Sequence, residues 1–437
     1  MAWKLAQSDR VEKIYVIPGN GGTATEEKTA NVLPDGMGKS PDSDEGQKAI
    51  LKFALKENID LVVVGPEAPL AAGIVDKFRA VGLAIVGPVQ KAARLETSKV
   101  YAKSFMKKYG IRTAACKSFA DFTEAAGYSE KQFRKAQKIV IKADGLAAGK
   151  GVVIAGDFAE AKAALEAFMK KGDLGEAGKS VLIEEYLEGP EVSVLAAVSV
   201  CPGRKGVIKP FIAARDHKRR FEGETGPNTG GMGAVAPVPD FTPALQKDFA
   251  SAILAPTLKG MEAEKMDYRG FIFFGVLLRG GECYLLEYNA RLGDPETQSV
   301  LPLLGSDLAE LCQAIIDGSL SQYPLKWKEG AVCAPVAASE GYPGQYRKGI
   351  PIAANRNALG QTGATLFVAG AEREAGGHFG SGLRTSGGRV LTVSALGSDS
   401  GDARKRAYDA LRFISFEGMV YRKDIGLNPS AAGDAHG

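Results

Sequence analysis

Between Glu282 and Gln298 the chain reads Glu-Cys-Tyr-Leu-Leu-Glu-Tyr-Asn-Ala-Arg-Leu-Gly-Asp-Pro-Glu-Thr-Gln, an apolar strand running into a dense cluster of ionisable and amide side chains. Side chains alternate faces along a strand, so Glu287 and Asn289 share one face. Two oxygen donors side by side at a strand end suit Mg²⁺ or Mn²⁺, ions that take carboxylate, carbonyl and water ligands and complete their shells with nucleotide phosphates. Alone, the segment also reads as a polar strand end entering a turn at Asp294-Pro295.

Two further segments break the tie. Residues 139–155 are two β-branched strands joined by a loop with three glycines and flanked or occupied by Lys142 and Lys150. Glycine lets backbone N–H groups fold over phosphate oxygens, and the lysines supply point charges. No Gly-Lys-Ser/Thr follows and the next element is a strand, so this is not a P-loop. Residues 181–194 form a strand ending in Glu184 and Glu185, a Gly189-Pro190 break, and a second strand from Glu191. Such a hinge exposes backbone groups that can read adenine, with an acid beyond it for ribose hydroxyls.

In this order and spacing the three segments resemble the ATP-grasp ligases. Asp216-His217-Lys218-Arg219 and Glu224-Thr225-Gly226-Pro227-Asn228-Thr229-Gly230-Gly231-Met232-Gly233 narrow the resemblance to the phosphoribosylamine–glycine ligase (glycinamide ribonucleotide synthetase) family. Val64-Gly65-Pro66-Glu67-Ala68-Pro69-Leu70 and Arg422-Lys423-Asp424-Ile425-Gly426 fit the same family, so the resemblance covers residues 2–426. It implies ATP-dependent joining of glycine to 5-phosphoribosylamine through glycyl phosphate, in purine synthesis. It also implies roles. Glu287 and Asn289 hold the metal. Lys99, Lys142, Gly145, Gly149, Lys150 and Gly151 surround the phosphates, and Glu184, Glu185, Leu187 and Glu191 bracket adenosine. Arg291, Asp216, Asn228, Thr229 and Gly230 serve the glycine and acyl phosphate region. Gly19, Asn20, Gly65, Pro66, Glu67 and Asp294 face the phosphoribosylamine. His217 is read as structural or substrate-orienting and not as a general base, because an unprotonated amine attacks readily. Another ATP-grasp carboxylate–amine ligase, or a catalytically impaired nucleotide-binding form, are the alternatives.

The rest of the chain agrees. Its 437 residues are too many for one ordinary core and predict about three domains. A hydrophobic content of 45% with 24% charged residues is that of a globular protein, and net charge +4 lacks the clustered basic stripe of a nucleic-acid binder. The five cysteines are odd in number, widely spaced and without Cys-x-x-Cys, which predicts reduced thiols in a cytoplasm. No long apolar run predicts a membrane span. Small-molecule substrates and a monomer, or at most a weak homodimer, complete the expectation.

The predicted fold is α/β and α+β multidomain. Apolar runs at 14–17, 61–64 and 83–86 alternate with helical patterns at 45–57 and 70–81, a doubly wound domain over residues 1–90. An ATP-grasp region follows over 91–320: a helix over 91–109 closed by Gly110, a lid at 112–190, and an antiparallel platform at 191–320 from strands 192–200, 207–214, 271–278 and 283–288. A C-terminal α/β domain spans 325–426, with strands 331–338, 365–371 and 390–395 and a helix over 400–414; 427–437 is a disordered tail. The polar stretch 34–46 reads as a surface insertion. Family members begin with a strand and a Gly-Gly-Arg-Glu-His loop before the helix that starts here at Ala2, so Met1 is expected to be an internal or misplaced start, with weaker phosphoribosylamine binding and a less stable first domain.

Overall fold

A computed structural model describes residues 1–38, 40–147, 151–373 and 382–427, with Arg356 described by its backbone alone. Strand Tyr268–Arg279 is the spine. Its residues alternate between two cores: Ile272, Phe274 and Val276 enter one, Phe271 and Phe273 the other. Both faces are buried, so the strand reads as a continuous apolar run, Phe-Ile-Phe-Phe-Gly-Val-Leu-Leu. It pairs antiparallel with Glu191–Val200 on one side and with Glu282–Asn289 on the other. Val207–Pro210 extends the sheet beyond Glu191–Val200.

At its N-terminal end the spine also pairs with Ile85–Pro88, which carries Val62–Val63 in parallel. The expected doubly wound sheet is therefore divided. Ile14–Val16 pairs in parallel with Thr29–Asn31 alone, while the other two strands of the first segment continue the platform. Sequence patterning marks the strands but cannot say which sheet an edge joins. The expected helix over 70–81 is two helices, Glu67–Ala71 and Ile74–Ala80, parted at Gly73, whose φ of +79° lies in the left-handed region. The stretch 34–46 is not wholly a surface insertion, because Met37 is buried against the core that holds Ile50.

The expected single helix over 91–109 breaks at Ser98 into Gln90–Thr97 and Lys99–Tyr109. Ser98 leaves helical geometry and caps the second helix by accepting from the Tyr101 amide. Asp144 in the lid accepts from both the Ser98 hydroxyl and the Val100 amide, tying the break to the Gly-rich loop. Gly110 closes the second helix in the left-handed conformation, as its sequence predicts. The lid is a four-stranded antiparallel sheet, ordered Cys116–Phe119, Val181–Glu185, Ile139–Ala143, Val152–Ala155, backed by helices Phe122–Phe133 and Phe158–Leu165.

The C-terminal sheet runs Arg215–Asp216, Gly233–Ala236, Ala331–Ser339, Arg389–Gly397, Thr365–Val368. Its first two strands come from the Asp216–Gly233 motif, so this sheet and the platform share one wall, an arrangement no local pattern announces. The strand expected over 207–214 is shorter, with Ala214 only bridging Ser193. The 365–371 strand divides into Thr365–Val368 and Ala371–Arg373, and the helix expected to reach 414 ends at Leu411, Ile414 entering a short strand. The expected tail beyond residue 427 lies outside the described residues. Among the described residues no helix is long and apolar enough to cross a membrane, and all five thiols are free.

The seam between spine and first segment depends on two glycines. A Cβ on Gly270 would stand 2.9 Å from the Cα of Gly87, backbone that cannot rotate away. Gly270→Ala is expected to weaken this seam by roughly 1–3 kcal/mol. Hydrogen exchange checks it: amides of 62–64 and 85–87 should exchange faster while those of 139–143 stay unchanged.

Candidate active site

Lid, platform, first segment and C-terminal sheet enclose a cavity of about 1850 Å³. On its floor the strand Glu282–Asn289 ends, with a bulge where Gly275 faces Glu287 but Val276 faces Leu285. Glu287 and Asn289 border the cavity, while Tyr288 between them turns into the core to meet Thr257 and Phe274. Burial alone would push the Glu287 carboxyl up, yet Lys218, Lys142, Lys99 and Arg291 together hold it below the usual carboxylate range. It is thus an ionised group in a ring of cations. Among the described residues no three His, Cys, Asp or Glu side chains cluster as a metal cage.

The lysines are themselves held. Lys142, from lid strand Ile139–Ala143, stands 3.0 Å from Glu184 and 3.4 Å from the Leu286 carbonyl. Lys103 stands 3.3 Å from the other Glu184 oxygen and donates to Thr113, whose hydroxyl in turn donates to the Leu285 carbonyl. Glu184, which borders the cavity, is therefore a buried tie between two lysines. Burial, with a smaller push from Lys142, lowers the Lys103 pKa against the attraction of Glu184, while Lys142 is raised, the attraction of Glu184 and Glu287 outweighing its own burial. Lys99 donates to the Gly145 carbonyl at 3.1 Å, and Lys218 reaches Glu191 at 2.7 Å. Glu185 accepts from the Ala115 amide, and Leu187 packs with Ala114 and Leu277 along the cavity wall. Gly145 and Gly151 border the cavity; Gly149 and Lys150 lie outside the described residues.

Arg291 does not stand free. Its guanidinium meets Glu67 at 3.0 Å, Glu96 at 3.7 Å and the Leu292 carbonyl at 3.1 Å. Glu96 also accepts from the Ala290 amide at 2.7 Å, fixing the backbone between Asn289 and Arg291. Burial pushes Glu96 up to about 7, against Arg291 and that amide. Sequence reading missed Glu96, which sits on the buried face of an amphipathic helix; its only signal was a carboxylate at an apolar position.

Asp216 lies beside Glu296, which accepts from Ser193 at 2.8 Å. Burial, then Glu296, drive the Asp216 carboxyl well above its ordinary range against Lys218 and Arg389. One of its oxygens is buried without a hydrogen-bond partner. The Thr229-Gly230 turn is lashed from the C-terminal sheet: Gly230 donates to the Tyr342 hydroxyl, and Arg389 donates to the Gly230 carbonyl and to Asp294. Asn228 is exposed on the adjoining strand. Arg389 and Tyr342 were also missed; nothing local distinguishes them from surface residues.

On the far wall Gly65, Pro66, Glu67 and Asn20 border the cavity beside Met1. Asn20 caps its own turn, accepting from the Gly22 and Thr23 amides and donating to the Val368 carbonyl. Gly19 takes a φ of +79° packed against Asn31.

Three family models of phosphoribosylglycinamide synthetase match: the N domain over residues 1–96, the ATP-grasp (A) domain over 97–297 and the C domain over 331–428. A phosphoribosylamine–glycine ligase of Clostridium acetobutylicum is 47% identical over 426 residues, covering 98% of this chain and 96% of its own length. One from Neisseria meningitidis serogroup B is 43% identical, covering 97% and 95%. The crystal structure of a phosphoribosylamine–glycine ligase from Thermotoga maritima superposes with a TM-score of 0.77 at 32% identity, over 97% of this chain and 96% of that one. A biotin carboxylase of Campylobacter jejuni shares the fold alone, with a TM-score of 0.68 at 14% identity over 97% and 90%. Matched from its first strands to its C-terminal sheet, the chain belongs to the phosphoribosylglycinamide synthetase family.

Proposed function

We propose that the chain ligates glycine to 5-phosphoribosylamine at the expense of ATP, yielding glycinamide ribonucleotide, ADP and phosphate through glycyl phosphate, as a cytoplasmic monomer or weak homodimer. The observation that carries this is the ionised Glu287, side by side with Asn289, in a cavity whose lysines converge on it. Relatives of the same length that bear the ligase name support the choice of substrates.

Two hard oxygen donors, with no cluster of three His, Cys, Asp or Glu among the described residues, fit Mg²⁺ or Mn²⁺, ions that draw their remaining ligands from water and phosphate. Bound by Glu287 and Asn289, such an ion supplies neutralisation of charge on the transferring phosphate. The chain's own groups supply the rest. Lys142 and Lys99 offset phosphate charge, the lid around Gly145 and Gly151 covers the nucleotide, and the 184–187 backbone with Leu187 meets adenine, Glu191 the ribose. A carboxylate is a poor acyl donor because oxide must leave; transfer of the γ-phosphoryl group to glycine turns that oxygen into a good leaving group. Positioning and charge compensation are then most of the enzyme's work. Asp216, short of a partner, receives the glycine ammonium. Arg291, steadied by Glu67 and Glu96, faces the carboxylate or acyl phosphate, with the Asn228–Gly230 turn beside it. Gly19, Asn20, Gly65, Pro66, Glu67 and Asp294 meet phosphoribosylamine.

The direct assay supplies ATP, Mg²⁺, glycine and phosphoribosylamine and follows product by mass spectrometry; release of ADP by another carboxylic acid in preference to glycine would refute the assignment. Glu287→Gln or Asn289→Ala should lower turnover on the order of 10²–10³-fold or more with the fold retained, since each removes one of two metal donors. Near-normal turnover at saturating Mg²⁺ would sink the metal role. With oxygen-18 in the glycine carboxylate, one labelled oxygen should appear in inorganic phosphate, and unlabelled phosphate would eliminate the acyl phosphate.

A further inference from the structure

Two neighbouring side chains on the cavity wall each carry a buried acceptor with no hydrogen-bond partner: Asp216, through Oδ1, and His217, through Nε2. A buried acceptor left unpaired is unfavourable, and an N–H donor from a ligand relieves it. Both proposed substrates of the ligation carry nitrogen. Asp216 suits the glycine ammonium, and His217, bordering the same cavity, is the remaining unpaired nitrogen for the second amine.

The histidine is built for more than a contact. Its Nδ1 lies 3.1 Å from Glu224 Oε1, and a carboxylate only accepts, so Nδ1 carries a proton, and in the neutral imidazole Nε2 holds the free lone pair. The same Glu224 oxygen accepts from Arg422 at 2.6 Å, and Arg422 is 2% exposed, forked onto Asp424 and donating to the Arg219 carbonyl. Despite partial burial, the hydrogen bonds from His217 and Arg422 hold Glu224 down to about 2, so it stays ionised. Its backbone sits at φ +56°, an unfavourable conformation for a residue with a side chain, kept by two further ties: the Gly223 amide donates to Asp424 and the Lys423 amide to Glu222. The Arg422-Lys423-Asp424 segment, which the ligation chemistry otherwise leaves unexplained, thus exists in this fold as the clamp of a histidine–carboxylate pair.

Resting on the glycyl phosphate reading, we propose that His217 is the proton acceptor of the second half-reaction, oriented and charge-compensated by the Glu224–Arg422 pair. The neutral amine of phosphoribosylamine attacks the acyl carbon, forming C–N as the carbon–oxygen bond to phosphate breaks and phosphate leaves with that electron pair. The nitrogen becomes cationic in the process and must lose a proton. Nε2 takes it, Glu224 balances the resulting imidazolium, and the proton passes on to the departed phosphate trianion, which ends as hydrogenphosphate, HPO4²⁻. The amine needs no help before attack; it needs an acceptor after bonding.

The test separates the two halves. Hydroxylamine, a small nucleophile that is largely unprotonated at neutral pH, traps glycyl phosphate as glycine hydroxamate without the second substrate. With His217→Gln, ATP- and glycine-dependent hydroxamate formation should persist while amide formation with phosphoribosylamine falls at least about 100-fold. Glu224→Gln, which keeps an acceptor for Nδ1 but removes the charge, should show the same split more weakly and serves if the first variant does not fold. Amide formation within fivefold of the unmodified chain, or equal loss in both half-reactions, overturns the proposal. Absence of hydroxamate from the unmodified chain would instead refute the glycyl phosphate reading, and this proposal with it.

Discussion

One ionised carboxylate organises the cavity. Glu287 is buried where an isolated charge would be prohibitive, and it stays ionised because Lys218, Lys142, Lys99 and Arg291 surround it. Each of those cations answers to a carboxylate or carbonyl of its own: Lys218 to Glu191, Lys142 to Glu184, Lys99 to Gly145, Arg291 to Glu67 and Glu96. The network draws on the lid, the platform and the first segment together. A polyanionic nucleotide with its metal, bound as proposed, would enter a field already arranged, so that little reorganisation is needed when charge moves.

The layers meet at that field through a few covalently distant ties. Asp144 in the lid holds the helix break at Ser98 and so sets Lys99. Gly270 and Gly87 let the spine accept strands from the first segment, which brings Glu67 within reach of Arg291. Arg389 and Tyr342 reach from the C-terminal sheet to the Gly230 turn, and Arg422 reaches to Glu224. The C-terminal sheet therefore shapes the wall of the cavity that carries Glu224 and Gly230, while the ties of Lys99 and Lys142 form without it.

Much of this was legible beforehand, for identifiable reasons. Glu287 and Asn289 declare themselves because strand periodicity is two and both are hard donors at a strand end; the lid loop declares itself through glycines between β-branched runs. The Ser98 break was not legible, since a single serine inside a helical pattern is ordinary until Asp144 arrives from another element. Glu96 hid on an apolar helix face, and Arg389 and Tyr342 act on residues more than 90 positions away. The surroundings of His217 depend on what Glu224 and Arg422 do in three dimensions, so the proton-accepting role proposed for it goes beyond its sequence reading as a structural or orienting residue. The tie that Glu184 makes between Lys103 and Lys142 was likewise not legible, because burial and charge balance are tertiary properties.

The central claim, that Glu287 is an ionised metal ligand held in a lysine field, is tested most directly by calorimetric titration with ADP, with and without Mg²⁺, of the unmodified chain and of Glu287→Gln. The account predicts that Mg²⁺ tightens ADP binding in the unmodified chain, and that Glu287→Gln abolishes the tightening while metal-free ADP still binds. An equal response to Mg²⁺ in both proteins would contradict it.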